Sequence, residues 1–370
     1  MKQPVLTLII KPGGIKYVIN ISDNKKNRIV EGKIMTMTTT TKHKPSDNPW
    51  LHFSKNLERY KTPNLKKSIW QIINTFIPYV GIWVLIVYSL SVSLWLTALL
   101  IPFAAGFLVR LFIIFHDCGH GSFFKSKIAN RTVGMFFGIL AFTPYDKWHG
   151  LHLKHHATVG NLDKRGEGDV WTMTKEEFKA ASKRKRFEYR MYRHPLIMFG
   201  VGPLYVFLVS NRLTKKGMTR KEKLNTYLTS GLLLLIITGM SFAIGFMTFI
   251  VIQLIILYIA GISGFWLFYL QHQYEDVSWY RRKEWKFQEV ALHGSSYVKF
   301  PKLLQWFSGN IGFHHIHHLN ANIPNYNLPR CFKENDIFRE VKPVTFIDSL
   351  KTLKLRLWDE KQHKLVPFKG

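Results

Sequence analysis

A stretch near the end of the chain, residues 309–319, holds four histidines in eleven positions. On one helical turn His314 shares a face with His317 and His318, because side chains three and four positions apart are neighbours on a helix. A neutral imidazole is the commonest metal ligand among the titratable side chains. The spacing therefore predicts that these three rings bind a metal ion, and it leaves His315 as a bystander.

Two earlier clusters repeat this pattern. His116 and His120 stand at i and i+4, and His152, His155 and His156 stand at i, i+3 and i+4. A single pair of this kind is commonly a solvated or pH-sensitive histidine patch. Three clusters in one chain instead favour one shared metal site.

The number and type of the candidate ligands indicate the chemistry. Eight or nine imidazoles are too many for one ion and suit two ions that keep open positions for oxygen. The chain has no His-Glu-x-x-His zinc motif, and its one Glu-x-x-His, at Glu360 and His363, lies near its end. An all-imidazole, redox-active site favours iron acting on a lipid-soluble substrate. The predicted ligands are His116, His120, His152, His155, His156, His272, His314, His317 and His318.

Long apolar segments must position these rings. Residues 68–109 and 224–274 contain no Asp, Glu, Lys or Arg over 42 and 51 residues. At 1.5 Å per residue, each run crosses a roughly 30 Å hydrocarbon core about twice. The predicted crossings are residues 69–88, 94–115, 224–246 and 248–270. The predicted fold class is therefore all-α: a polytopic membrane protein with four transmembrane helices, interfacial helices and a cytoplasmic histidine-rich cap.

The ends of these crossings supply further candidates. His116 follows the second crossing and His272 follows the fourth, which makes His272 a candidate extra ligand. Asp117 could accept a hydrogen bond that orients an imidazole, although a capping or solvent-facing role fits equally well. Arg110, near the end of the second crossing, is expected to extend its long side chain to the membrane interface.

The distribution of charge predicts the orientation. The formal charge is +29, and Lys and Arg number 14 before the first neutral run, 22 between the runs and 16 after the second. By the positive-inside rule, the N-terminus, the C-terminus and all three histidine clusters lie on the cytoplasmic side of the cell membrane in a multi-pass protein. Basic loops beside membrane spans explain the charge better than nucleic-acid binding, so no nucleic-acid partner is predicted. The only cysteines, Cys118 and Cys331, indicate no disulfide framework.

Shorter segments complete the organisation. Residues 133–143 and 196–209 are apolar but too short to span, so they are predicted to be re-entrant or interfacial. The predicted divisions are an N-terminal arm (1–68), a membrane domain (69–320) and a C-terminal tail (321–370). Residues 1–34 fit this plan poorly, and we expect translation to begin at Met35 or Met37. The reason is that Glu31-Gly32 would be encoded by a purine run similar to a bacterial ribosome-binding site.

The three clusters resemble the histidine boxes of membrane fatty acid desaturases. The motifs that carry this resemblance are His116-x-x-x-His120, His152-x-x-His155-His156 and His314-x-x-His317-His318, with Gly-Asn-Ile-Gly-Phe before the last. Within this family, the segments at residues 161–171 and 301–306 most resemble the acyl-lipid desaturases of Bacillus, one of which makes Δ5 unsaturated phospholipid chains. The resemblance covers about residues 69–319.

The resemblance implies an activity and its partners. It implies an O₂-dependent enzyme that introduces a cis double bond, at Δ5 in the Bacillus case, into acyl chains of membrane phospholipids through two iron ions. Two electrons per double bond would come from an external carrier, ferredoxin or flavodoxin, because the sequence shows no cytochrome b5 motif and no iron–sulfur cysteine pattern. Histidines outside the box spacing are expected not to be ligands: His43, His52, His149, His194, His293, His315 and His363.

Two other functions fit parts of the pattern. A related membrane hydroxylase or ketolase would use similar boxes, and the two segments above favour desaturation over it. A metal transporter or sensor would bind ions in transit, and this hypothesis predicts ionisable residues within the spans. Both neutral runs lack Asp, Glu, Lys and Arg, which argues against a transporter.

Overall fold

The computed structural model describes residues 5–11, 14–23, 26–33, 49–166 and 168–368. The chain divides into two compact units, Met1–His52 and Phe53–Gly370. The first unit contains an antiparallel sheet of three strands, ordered β1 (Val5–Lys11), β2 (Gly14–Asp23) and β3 (Lys26–Lys33). The predicted translation starts at Met35 and Met37 lie outside the described residues.

The second unit is built mainly of helices. The helices in chain order are α1 (Pro49–Lys61), α2 (Leu65–Ser89), α3 (Leu94–Gly119), α4 (Lys127–Leu140), α5 (Tyr145–Thr158), α6 (Lys175–Ala180), α7 (Lys183–Tyr192), α8 (Leu196–Arg212), α9 (Arg220–Ile244), α10 (Phe246–His272), α11 (Phe287–His293), α12 (Lys302–Phe307), α13 (His314–Leu319), α14 (Leu328–Glu334), α15 (Asp336–Arg339) and α16 (Phe346–Thr352). The short strands are β4 (Met173–Thr174), β5 (Tyr297–Val298), β6 (Pro343–Val344), β7 (Leu357–Asp359) and β8 (Lys364–Val366).

Four helices, α2, α3, α9 and α10, are long and apolar enough to cross a bilayer, which confirms the predicted number of spans. The breaks fall close to the ends of the predicted crossings, after Ser89 and at Gly245. Gly245 has φ 86°, a conformation that L side chains rarely adopt, so α9 can end and α10 begin at the same residue. In the described part of the chain, the other candidate is the pair α7 and α8, which meet at 59° and count as a fifth span only if taken together.

Helices α4 and α5 form a hairpin that includes residues 133–143, the segment predicted to be re-entrant or interfacial. Helix α4 packs on α3 through glycine: a Cβ on Gly138 would lie 2.9 Å from the Phe115 ring. The chain turns at Phe142, where φ is 54°, and α5 returns beside α9, where the backbone N–H of Asp146 donates to Asn225 Oδ1 at 3.0 Å. The hairpin thus brings the histidines of α5 back to the end of α3.

Arg110 departs from its predicted position. It is only 6% exposed, and its Nε donates to Thr75 Oγ1 at 3.0 Å. Its Nη1 donates to the carbonyl of Trp306, and its guanidinium carbon lies 3.9 Å from the centre of the Trp306 ring. The expectation that Arg110 extends to the membrane interface is therefore wrong. The physical reason is α12, which packs against α3 and supplies buried partners for the guanidinium.

The last part of the chain folds over the histidine-bearing end of the helices. Strand β7 pairs with β4 in parallel and with β8 antiparallel. Trp358 and Leu365 pack in one cluster with Leu162 and Tyr274. Residues beyond 320 thus contribute to the same compact unit as the spans, while the division at residue 320 stays a prediction.

Candidate metal centre

The predicted ligands come from the ends of four elements. His116 lies in the last turn of α3, and His120 follows that helix directly. His272 is the last residue of α10. The remaining rings project from α5 and from α13, which is a short helix as the i, i+3, i+4 spacing predicts. The helices α3 and α10 and the α4–α5 hairpin therefore bring their histidines to the same end of the helical bundle as those of α13.

Five of these rings form one group, composed of His116, His120, His152, His156 and His317. Its candidate ligand atoms all lie within 4.8 Å of one another. His152 Nε2 lies 3.1 Å from His116 Nε2 and 3.0 Å from His120 Nε2. His156 Nε2 lies 3.1 Å from His152 Nε2 and from His317 Nε2.

The other four rings form a second group, composed of His155, His272, His314 and His318. His314 Nε2 lies 3.0 Å from both His272 Nε2 and His318 Nε2, and His155 Nε2 lies 3.2 Å from His318 Nε2. All four are buried. The two groups touch, because the His156 and His318 rings stack with their centres 4.2 Å apart. The nine residues that the structure brings together are the nine that the sequence predicts.

The spacing of the nitrogens fits bound metal ions. Two imidazole nitrogens at right angles on one ion, each about 2.1 Å from it, would be about 3.0 Å apart. The closest Nε2–Nε2 pairs in both groups, 3.0 to 3.2 Å apart, have about that separation, and all candidate ligand atoms of each group lie within 4.8 Å of one another. Two touching groups of five and four such nitrogens can hold two ions side by side.

Burial favours the neutral, metal-binding form of His152, His317 and His318. Burial lowers the pKa of His152 well below its ordinary value, and the neighbouring imidazoles lower it further. The same two causes lower the pKa of His317 and of His318. A neutral imidazole has a lone pair for a metal ion, so the free rings are ready to bind without first losing a proton.

Two carboxylates orient rings of the two groups. Asp117 Oδ1 lies 3.2 Å from His116 Nδ1, and Asp117 Oδ2 accepts from the backbone N–H and side-chain amide of Asn325 at 2.7 and 2.8 Å. Asp169 accepts a hydrogen bond from His155 Nδ1. With Nδ1–H donated in this way, Nε2 is left as the metal-facing atom.

The position of Asp117 agrees with the orienting role weighed for it from the sequence. Asp169 was not identified from the sequence as a functional residue. The available signal was its acidic side chain within residues 161–171, one of the two segments that resemble the Bacillus enzymes.

Three of the extra histidines, His149, His293 and His315, lie outside both groups, and His43 lies outside the described residues. His315 is fully buried between Tyr297 and Phe338, and burial lowers its pKa to about 3. His149 stacks on Tyr145 beside the first group, and His293 is exposed. Arg281 donates a hydrogen bond to Glu360, so the glutamate of the single Glu-x-x-His motif pairs with a surface arginine.

A cavity of about 340 Å³ opens beside the rings. It is lined by His120 and His156 of the first group and His318 of the second, and its outer wall includes Phe287 and Asn320. Both groups therefore meet the same opening on the histidine-bearing face.

Comparison with known proteins identifies the family. The sequence model of the fatty acid desaturase family matches residues 93–344. A fatty acid desaturase of Bacillus subtilis (strain 168) is 46% identical over 317 residues, which cover 86% of this chain and 90% of that protein. An sn-1 acyl-lipid omega-3 desaturase (ferredoxin) of Nostoc sp. (strain 36) is 30% identical over 264 residues, 67% of this chain and 69% of that protein.

A third relative is an sn-1 oleoyl-lipid 12-desaturase of Picosynechococcus, 26% identical over 258 residues, 66% of this chain and 70% of that protein. The family match includes all nine rings of the two groups and all or most of α3, α9 and α10. The chain therefore belongs to the fatty acid desaturase family and is an oxidoreductase of lipid metabolism.

Proposed function

We propose that the protein uses O₂ to introduce a cis double bond into acyl chains of membrane phospholipids, with two iron ions bound by the nine histidines. The observation that carries this proposal is the pair of touching imidazole groups, one of five rings and one of four. Nine imidazole nitrogen donors without a bound carboxylate suit a redox-active metal better than a hydrolytic zinc ion.

The reaction balances as follows. The acyl chain loses one hydrogen from each of two adjacent methylene groups, and the carbon–carbon double bond forms between them. Two further electrons and two protons complete the reduction of O₂ to two molecules of water. Iron, when bound, supplies the O₂ chemistry. Burial favours the neutral form of His152, His317 and His318, and Asp117 and Asp169 fix the orientation of His116 and His155.

The substrate is proposed to be an esterified phospholipid chain, unsaturated at Δ5. The Nostoc relative acts on an sn-1 acyl lipid according to its name, and the four spans give this chain direct access to bilayer lipids. The Δ5 position rests on the resemblance of residues 161–171 and 301–306 to the Bacillus enzymes. Both segments lie near the site. Residues 161–171 contribute Asp169, and residues 301–306 contribute to α12, whose Trp306 carbonyl accepts a hydrogen bond from Arg110.

The electron donor is proposed to be a separate ferredoxin or flavodoxin that reaches the histidine-bearing face. That face is proposed to be cytoplasmic, together with both termini. Two relatives carry ferredoxin in their names, and the formal charge of +29 favours an acidic carrier. The opening lined by His120, His156 and His318 is the exposed approach to both groups.

Expression in a host without the corresponding desaturase tests this function. The host supplies ferredoxin or flavodoxin, and gas chromatography–mass spectrometry follows the acyl chains of its phospholipids. We expect a new Δ5 cis-unsaturated chain with the native protein and none with His317→Ala. A hydroxylated chain in its place would establish the hydroxylase alternative, and no new chain with a competent donor present would contradict the proposal.

A further inference from the structure

Three cations meet beside the tip of the α4–α5 hairpin, and none forms an ion pair with a carboxylate among the described residues. Lys147 is 6% exposed, and its Nζ donates to the carbonyl oxygens of Ser210 at 2.5 Å and Leu213 at 2.9 Å. Burial, together with the positive charges of Lys215 and Arg212, lowers the pKa of Lys147 to about 8. The three side chains therefore share one electropositive region.

Arg212 connects this region to two helices. Its Nη2 donates to the carbonyl of Phe142 at the hairpin tip at 2.6 Å, and its Nη1 lies 3.4 Å from Ser230 Oγ on α9. Its Nε is buried and has no hydrogen-bond partner. A guanidinium that bridges α4–α5 and α9 in this way still has donor capacity and a full positive charge to offer to an anion.

An apolar groove lies close along the chain to the residues that Arg212 contacts, because Leu140 and Leu232, two residues from Phe142 and Ser230, line it. The groove has a volume of about 460 Å³ and separates the end of α4 from α9. It is lined by Phe136, Ile139, Leu140, Leu232, Leu235 and Ile236. Phe137 and Gly138 of α4 pack toward Phe115 of α3, whereas Phe136, Ile139 and Leu140 of α4 line the groove. The lining residues thus come from α4 and α9, whereas His116 and His120 belong to the end of α3.

The acidic groups nearby are already engaged. Asp146 of α5 accepts two hydrogen bonds from Arg131, at 2.5 and 2.9 Å, and lies 3.3 Å from Lys221 Nζ. Glu222 closes the first turn of α9 through the backbone N–H and hydroxyl of Thr219, at 2.6 and 2.8 Å. Neither carboxylate is available to neutralise Lys147, Arg212 and Lys215.

We propose that this groove and the Lys147–Arg212–Lys215 cluster bind one anionic phospholipid, with an acyl chain along the groove and the phosphate at the cations. Basic pockets between membrane helices bind lipid phosphates, and an adjoining apolar groove supplies the contact for the chain. The lipid is a resident ligand that joins the hairpin to α9, and it is separate from the substrate of the proposed desaturation. Its binding can therefore be measured independently of iron and of activity.

Native mass spectrometry of the purified holoenzyme, titrated with phosphatidylglycerol, tests this site with two matched pairs of variants. Lys215→Gln removes a cation of the cluster, whereas Lys216→Gln removes the neighbouring exposed lysine. Leu235→Trp obstructs the groove, whereas Leu234→Trp changes a residue of similar exposure, 63% against 67%, that does not line it. All four positions are exposed, so the variants are expected to fold.

The wild-type protein should retain one phosphatidylglycerol and bind phosphatidylcholine more weakly. Lys215→Gln should weaken phosphatidylglycerol binding roughly fivefold, the effect of one interfacial cation, and Leu235→Trp should abolish the retained lipid. Both control variants should behave as wild type. Equal retention of phosphatidylglycerol by the two variants of either matched pair would overturn the proposal. Displacement of the lipid by inorganic phosphate alone would also overturn it, because the site would then select a free anion.

Discussion

Asp169 and Asp117 each place a carboxylate oxygen beside the Nδ1 atom of a histidine, one in each imidazole group. Asp117 is held on its other side by Asn325, whereas Asp169 Oδ2 is buried without a partner. Among the described residues, Asp169 therefore forms a hydrogen bond with His155 alone. Its substitution should act on that ring with little effect on other contacts.

Asp169→Asn should weaken iron binding by about 10–100-fold, because the ring loses a partner that fixes its orientation and raises its basicity. Competition with a calibrated iron chelator measures the change. Asp163→Asn is the matched control, since Asp163 is an acidic residue of the same segment that pairs with Arg281 at the surface. Equal iron affinity in the two variants would contradict a positioning role for Asp169.

His315 and His318 offer a direct test of the ligand assignment on one short helix. Both are buried, but His318 Nε2 faces His155 and His314, whereas His315 lies between Tyr297 and Phe338. His318→Gln should lose bound iron and desaturated product together, and His315→Gln should keep both. Metal analysis and lipid analysis of the same preparations check this. Loss of iron from His315→Gln alone would reverse the assignment.

The ligand pattern was predictable at this scale because helical spacing selects rings on one face. The division into two groups was not predictable, since it depends on how α5 lies between α3 and α13. Spacing also could not identify Asp169, because its contact with His155 requires the folded path of the intervening segment.

At the scale of elements, the turn before α13 fixes where its three ligands point. Gly309 has φ 52°, and a Cβ there would lie 2.6 Å from Ile113 Cγ2 on α3. Gly309→Ala should lower the free energy of unfolding by about 1–3 kcal/mol and reduce iron content, because both the backbone and the contact become strained. Gly81→Ala, in α2 with nothing within 4 Å of the added carbon, should change stability by less than about 1 kcal/mol. Equal denaturation midpoints for the two variants would contradict this role of Gly309.

Lys147 gives the hairpin a defined pH dependence. Its pKa in the fold is lowered by burial to about 8 from an ordinary value of 10.5. Between these pH values the unfolded chain holds more protons at this group, so the unfolding free energy rises with pH by up to about 1.4 kcal/mol per unit. Below pH 8 the lysine is charged in both states and adds no slope.

Lys147→Met should remove that rise. Denaturation in neutral detergent across pH 7.5 to 10.5 measures the unfolding free energies of the wild-type protein and the variant. In the difference between these two free energies, the contributions of the other titrating groups cancel. Parallel pH dependences would show that Lys147 is not buried as the structure indicates.

The spans were predictable because long runs without charge have one physical solution in a bilayer. Helix α12 was not, since six residues are too few to carry a periodic signal. Its packing on α3 is also what made the prediction for Arg110 wrong. A long cation near a span end can reach solvent, but a neighbouring helix that offers a carbonyl and an aromatic ring keeps it buried.

At the scale of the whole molecule, four spans place the ends of α3 and α10 on the same side as α5 and α13. The distribution of lysine and arginine predicts that this side is cytoplasmic. The native cysteines, Cys118 and Cys331, are both buried and should react little with maleimides. Single introduced cysteines can therefore report the orientation.

Lys364→Cys, in the exposed part of β8, should be protected from a membrane-impermeant maleimide in intact cells and labelled in inverted vesicles. Ser91→Cys, between α2 and α3, should show the reverse behaviour. The opposite pattern would place the histidine groups outside the cytoplasm and exclude a cytoplasmic electron carrier.

The proposed function requires that the two imidazole groups together form one two-iron centre. Iron content per chain, measured on the purified protein by plasma mass spectrometry alongside quantitative amino-acid analysis, tests this requirement. We predict two iron ions per chain in the wild-type protein. We predict a large loss in both His317→Ala, from the first group, and His314→Ala, from the second. One ion or none per fully loaded chain, or a full complement in either variant, would contradict the account.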